Sequence, residues 1–171
     1  PFPYPALILI VSGGHSTLVF SERREHYLLV ARTRDDAAGE AYDKVAKLVG
    51  LGYPGGPVLD RLAAEGDAKA YPLPIARTSD GSLDLSFSGI KTAVMRLVQE
   101  QKIPAASPPG QEQPAEIKNL AASFQYTVIA TLLDRVKRAA RHLSPRSIIL
   151  SGGVACNRGL REIFQSHFQA E

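Results

Sequence analysis

Apolar residues along the chain follow two patterns. Residues 6–11, Ala-Leu-Ile-Leu-Ile-Val, form an unbroken apolar run that stops at Ser12-Gly13-Gly14. That combination predicts a buried strand ended by a glycine turn. Residues 16–20 and 27–33 are further strand candidates, with charged residues 22–25 as a hairpin tip, so an antiparallel meander is expected. Helical spacing takes over next. Over 37–49 it puts Ala38, Ala41, Val45 and Leu48 on one stripe, and Gly50 and Gly52 end the helix. Tyr53-Pro54-Gly55-Gly56-Pro57 predicts a loop. Residues 58–64 predict a second helix with Val58, Leu59, Leu62 and Ala63 inward, closed by Gly66. Residues 67–83 are irregular and rich in turn formers. Ser88 is the expected N-cap of a helix that reaches residue 101. Residues 103–114 hold four prolines and predict an exposed loop. The clearest periodicity covers 116–143, where Ile117, Leu120, Phe124, Val128, Leu132, Val136, Ala139 and Leu143 recur at helical spacing. Residues 147–150 predict a short buried strand that again runs into Ser-Gly-Gly, and 157–168 a last helix. Strands and helices in this order predict an α/β layered domain, whose ligands collect where strands end in glycine turns.

Composition narrows the classes. The chain has 171 residues, 44% hydrophobic and 22% charged. That excludes a disordered, collagen-like or coiled-coil chain, and the length supports a core without disulfide or metal staples. The single cysteine, Cys156, excludes an internal disulfide and a Cys-based zinc site, and fits a reducing, cytoplasmic compartment. No apolar run approaches the ~20 residues that span a bilayer, so no membrane partner is expected. The net charge of +3 is mild, but its distribution is uneven. Between Lys118 and Arg161 eight basic residues face one acid, and between Asp35 and Asp67 seven acids face three basic residues. A polyanionic partner fits the basic side. The chain opens at Pro1 and its one methionine is Met95, as expected of a piece of a longer protein.

Five constellations carry candidate chemistry. Ser12-Gly13-Gly14-His15-Ser16-Thr17 offers backbone N–H groups and hydroxyls to an anion, or makes a plain hairpin turn. Asp35 and Asp36 complement a helix N-terminus, while Glu40 and Asp43, one turn apart, either pair with Lys44 and Lys47 or supply a pair of carboxylates to ribose hydroxyls. Gly55-Gly56-Pro57 with Asp60 allows close approach of a ligand, or simply turns between helices. Ser88-Gly89-Ile90-Lys91-Thr92 resembles a P-loop only superficially, since the required glycine spacing is absent. Ser151-Gly152-Gly153 before Asn157 makes a flat platform for a purine, or Asn157 merely caps the last helix. The four histidines show no metal-ligand spacing, and Cys156 has no activating neighbour in sequence. The basic run Arg135, Lys137, Arg138, Arg141, Arg146 either complements a helix end or faces RNA.

The order of these motifs is more specific than any one of them. Val11 to Ser16, Asp35 to Lys44, Tyr53 to Pro57, Phe87 to Thr92 and Ser151 to Arg158 together closely resemble the bacterial tRNA N6-adenosine threonylcarbamoyltransferase (TsaD) family, over essentially the whole chain. The family is also known as glycoprotease or O-sialoglycoprotein endopeptidase. Ile10 and His15 match its bacterial branch; the archaeal and eukaryotic branch has Tyr and Asn there.

The resemblance implies an actin-like ATPase (ribonuclease H-like) fold of two related α/β domains, of which residues 1–171 are most of the second, with helical insertions. It implies transfer of threonylcarbamoyl from threonylcarbamoyl-AMP to N6 of the adenosine beside the anticodon. On this reading Ile10, Val11, Ser12, Gly13 and Gly14 hold the phosphate and carbamoyl end. Asp43, Gly56 and Asp60 hold the ribose side, and Asn157 the adenine on a Gly152-Gly153 platform. His15 and Glu40 are further candidates, and no catalytic residue is assigned. The family's iron or zinc is held by a His-x-x-x-His pair upstream and an Asp downstream, so no metal ligand falls in this chain, and the piece alone is expected to fold but not to catalyse. Implied partners are tRNA, a paralogous actin-fold subunit and a small ATPase subunit, with self-association through the surface meant for the missing half. The alternatives are an actin-fold phosphotransferase, which needs ATP turnover, and a metalloprotease, which needs a metal site.

Overall fold

A computed structural model describes residues 2–76, 78 and 80–168. The meander forms from β1 (Ala6–Val11), β2 (Ser16–Arg23) and β3 (His26–Arg32), and β4 (Ser147–Ser151) joins its other side in the order β3-β2-β1-β4. β1 pairs antiparallel with β2 and parallel with β4. Its central place explains the unbroken apolar run: Leu7, Leu9 and Val11 are buried on one face, and Ile8 and Ile10 are half-buried on the other. β2 runs beyond residue 20, so the hairpin tip shrinks to Arg24 and Glu25, with Glu25 at φ 66°. β3 is an edge strand, and its first four residues are exposed.

Five helices follow the expected order: α1 (Ala38–Leu48), α2 (Gly55–Ala63), α3 (Ser88–Glu100), α4 (Ala115–Leu143) and α5 (Arg158–Phe168). A 3-10 turn, Gly153–Cys156, precedes α5. α4 runs through the core. Seven of its eight expected inward residues are buried, and Leu143 packs at the margin. Its buried Thr127 and Thr131 hydroxyls donate to the carbonyls of Ser123 (2.9 Å) and Thr127 (2.8 Å), so neither donor is orphaned.

Five expectations change. β4 is half-buried rather than buried, because it lies at the edge of the sheet. Gly55, Gly56 and Pro57 are the first turn of α2, not a loop; a proline is tolerated there because the first N–H groups of a helix have no intrahelical partner. Leu48 is 40% exposed and Val49 takes the inward position, because Val45 and Val49 are one helical turn apart. Ile103 leaves the predicted exposed loop for the core. Ser88 is the first residue of α3 rather than its N-cap. The cap is remote: the Asp35 carboxylate accepts bonds from the Phe87 N–H (2.8 Å) and the hydroxyls of Ser86 (2.5 Å) and Ser88 (2.7 Å). Burial pushes the Asp35 carboxyl up, but these donors outweigh it and hold the group below its ordinary value.

The irregular segment after α2 is pinned by side chains. Arg135 donates to the carbonyls of Ala76 (2.9 Å) and Asp84 (3.2 Å), and Arg138 to that of Gly81 (2.8 Å). Arg135 is 2% exposed and pairs with Asp134, which removes it from any RNA-facing surface: its guanidinium is buried and its charge already has a partner. Within the stretch read as irregular, Arg77 and Ser79 lie outside the described residues.

Candidate functional site

The parallel pairing of β1 and β4 brings the two Ser-Gly-Gly turns to the same edge of the sheet, with Ile10 opposite Ser151. Ligands of open α/β sheets bind at such carboxyl ends. After β1, the chain closes a tight turn. The Ser12 N–H donates to the His15 carbonyl (2.8 Å), and the Ser12 hydroxyl oxygen accepts from the N–H groups of His15 (3.1 Å) and Gly14 (3.4 Å). The same turn meets the start of α1: Ser12 O accepts from the Gly39 N–H (3.1 Å), and the buried Ser16 hydroxyl accepts from the Ala38 N–H (2.8 Å). Partners from the hairpin thus satisfy the first donors of α1, and Ala37 at its N-cap needs no polar side chain.

Beside the turns lies a cleft of about 750 Å³, within the size range of small-molecule sites. Gly13, Asp43, Gly56, Asp60, Gly153 and Asn157 line it. Six residues singled out from four separate segments therefore meet around one space. Asp43 Oδ1 accepts from the Gly55 N–H (2.8 Å), which ties α1 to the start of α2. Asp60 Oδ2 accepts from the Arg158 N–H (2.9 Å). Asn157 Oδ1 accepts from the Leu160 N–H (2.8 Å), so the capping role holds. Asn157 also lines the cleft, so its cap role leaves it at the edge of that space.

Other candidates stand apart from the cleft wall. Ile10 and Val11 belong to the sheet, and Ser12 spends its hydroxyl within the turn. Gly14 and His15 are exposed beyond it. Glu40 turns away from Asp43: its carboxylate pairs with Lys44 (2.8 Å), which also holds Asp36 (2.7 Å). The hydrogen bond from Lys44 lowers the Glu40 carboxyl, and the bonds to Asp36 and Glu40 raise the Lys44 ammonium. Gly152 packs against Val11 rather than facing the cleft. It has φ 92°, and a Cβ there would lie 2.2 Å from the Val11 carbonyl oxygen. Gly13, Gly56 and Gly153 are different. None of them is in the left-handed region, and a Cβ on any of them meets nothing within 4 Å.

Sequence reasoning missed Gln125. It is buried on α4, where it reads as one polar residue beside an apolar stripe. Its Oε1 accepts from the Tyr42 hydroxyl (3.2 Å) and from Asn157 Nδ2 (2.6 Å), and its Nε2 donates to Asp60 Oδ1 (3.0 Å). Burial, and then the Asp60 charge, push the Tyr42 hydroxyl well above its ordinary value, so it stays a donor. Cys156 and Arg158 also line the cleft. Among the described residues no three His, Cys, Asp or Glu side chains are grouped to hold a metal ion, so these residues do not by themselves fit an iron or zinc centre. No helix among them is long and apolar enough to cross a membrane.

A family model described as tRNA N6-adenosine threonylcarbamoyltransferase matches residues 1–171. Relatives of that name include those of Gloeobacter violaceus, 50% identical over 158 residues (92% of this chain, 44% of the relative), and Bacillus subtilis, 46% identical over 165 residues (96% and 45%). The chain spans about half the length of the curated relatives it matches. Among solved structures, it is similar to the activator of the 2-hydroxyisocaproyl-CoA dehydratase from Clostridium difficile with bound ADPNP (TM-score 0.56, 18% identity, 99% of this chain and 53% of that one). Component A of the (R)-2-hydroxyglutaryl-CoA dehydratase of Acidaminococcus fermentans is similar too (0.52, 16%, 96% and 53%). At such identities the likeness concerns the fold alone, which is the actin-like ATPase fold.

Proposed function

The chain belongs to the tRNA N6-adenosine threonylcarbamoyltransferase family, and from that premise we propose that its cleft binds the nucleotide part of threonylcarbamoyl-AMP. One observation carries the reading. Gly13, Gly56 and Gly153 line the cleft, yet neither their backbone conformation nor a packed neighbour requires glycine. Side chains are missing there because a ligand needs the room. Asp43 keeps a second carboxylate oxygen for ribose hydroxyls, and Asn157 keeps one amide hydrogen for a base. The exposed turn at Gly13 and Gly14 offers its backbone to the phosphate and carbamoyl end.

In the whole protein, N6 of the tRNA adenosine attacks the carbamoyl carbon. A C–N bond forms, the C–O bond to phosphate breaks, AMP leaves as the anion, and N6 releases a proton. Donors at the β1 turn stabilise the charge on the departing group. Residues 1–171 then supply most of the second of two related domains, and the metal, tRNA and partner subunits engage the protein as a whole in the cytoplasm.

The test uses the full-length protein with threonylcarbamoyl-AMP and substrate tRNA, scored by modified adenosine. Asp43→Asn keeps an acceptor for the Gly55 N–H while removing the charge. It should weaken adenylate binding about tenfold, the scale of one charge-assisted bond. Unchanged affinity would overturn the ribose role, and phosphate release from ATP alone would point to a phosphotransferase.

A further inference from the structure

Gln125 is 7% exposed, and its carboxamide bonds to three side chains from three different elements: Tyr42 on α1, Asp60 on α2 and Asn157 before α5. Chemistry fixes which way the amide points. Tyr42 and Asn157 Nδ2 donate, whereas the Asp60 carboxylate only accepts, so Oε1 must face the first two and Nε2 the third. Turning the group over would set an oxygen against the Asp60 carboxylate and a nitrogen against the Asn157 amide hydrogens. Gly159 leaves room for this arrangement, since a Cβ there would lie 2.8 Å from Gln125 Nε2.

The consequence reaches Asn157. Its Oδ1 is held by the Leu160 N–H and its Nδ2 by Gln125. What remains is one N–H and one carbonyl lone pair in a set order. That order matches the adjacent acceptor and donor of adenine, N1 and N6–H. Hypoxanthine presents the reverse, N1–H and O6. We propose that Gln125 is a positioning residue that fixes the Asn157 amide and the Asp60 carboxylate for an adenine nucleotide and so sets the preference for adenine; this rests on the nucleotide-site reading above.

The experiment titrates full-length protein with AMP and with IMP by calorimetry. Wild type should prefer AMP. Gln125→Leu should bind AMP about tenfold more weakly and lose part of its preference over IMP. Gln125→Glu should do worse, because two carboxylates then face each other. In the double variant Gln125→Glu, Asp60→Asn the acid and the amide exchange places. The preference should return while affinity stays below wild type. Gly159→Ala displaces the amide without removing it and should shift the preference in the same direction; it carries the test if the leucine variant fails to fold. A preference unchanged in folded Gln125→Leu or Gly159→Ala, with both affinities intact or falling in parallel, would overturn the proposal and leave Gln125 a packing residue. Wild type that binds neither nucleotide would overturn the nucleotide site itself, and the proposal with it.

Discussion

The two Ser-Gly-Gly turns share a sequence and an edge of the sheet, yet they use their glycines differently. After β1 the chain reverses into an antiparallel strand, and the Ser12 hydroxyl closes the turn from within. Gly13 and Gly14 there carry no steric demand. After β4 the chain turns into a helix. Gly152 sits at φ 92° over the Val11 carbonyl, and only Gly153 is free. One turn keeps two glycines clear of packing, while the other uses one to bring β4 against β1 and leaves one for the cleft. Identical tripeptides therefore divide into packed and open glycines by position alone.

Substitution should expose that division. Gly152→Ala meets both a left-handed backbone and a carbonyl oxygen, so it should destabilise the protein by ~2–4 kcal/mol in denaturant melts. A loss similar to that of Gly153→Ala would erase the distinction. Gly13→Ala and Gly153→Ala should change stability by about 0.5 kcal/mol or less, yet weaken AMP binding about tenfold in the full-length protein. Intact affinity in both would mean the open space serves something other than a nucleotide.

The exits from the two turns offer a finer contrast. Asn157 caps α5 with its own side chain, whereas α1 takes its cap from Ser16, 22 residues before Ala38 in sequence. Asn157→Ala should cost about 1 kcal/mol for the cap. Asn157→Asp keeps the cap acceptor but sets a carboxylate oxygen against Gln125 Oε1, so it should recover neither the full stability nor the nucleotide affinity. Acid supplies the smallest effect. Neither turn depends on a charged cap, but α3 does, through Asp35. A carboxyl held below its ordinary 3.8 adds stability above that value and loses it as pH falls through the lower folded value. The stability gap between wild type and Asp35→Asn should therefore narrow on going from about pH 6 to pH 3.

Local pattern carried most of the fold. The 3.6-residue stripe of α4, the apolar run of β1 and the glycine stops can be read from neighbours in sequence, because each records which face of a segment avoids water. The ordered motifs likewise marked Asp43, Gly56, Asp60 and Asn157 before any geometry. What pattern could not settle was the identity of long-range partners. Asp35 as the cap of α3, Ser16 as the cap of α1, and Arg135 as a buried clamp each depend on groups tens of residues away. Gln125 is the clearest case. Beside an apolar stripe its amide looks incidental, and only the packing of α1, α2 and α5 around α4 gives it a hydroxyl, a carboxylate and an amide to bond. The sequence by itself determined which segments become strands and helices, since that follows from local propensity and burial. Tertiary structure decided which polar groups satisfy one another, because a hydrogen bond depends on distance in space rather than on separation along the chain.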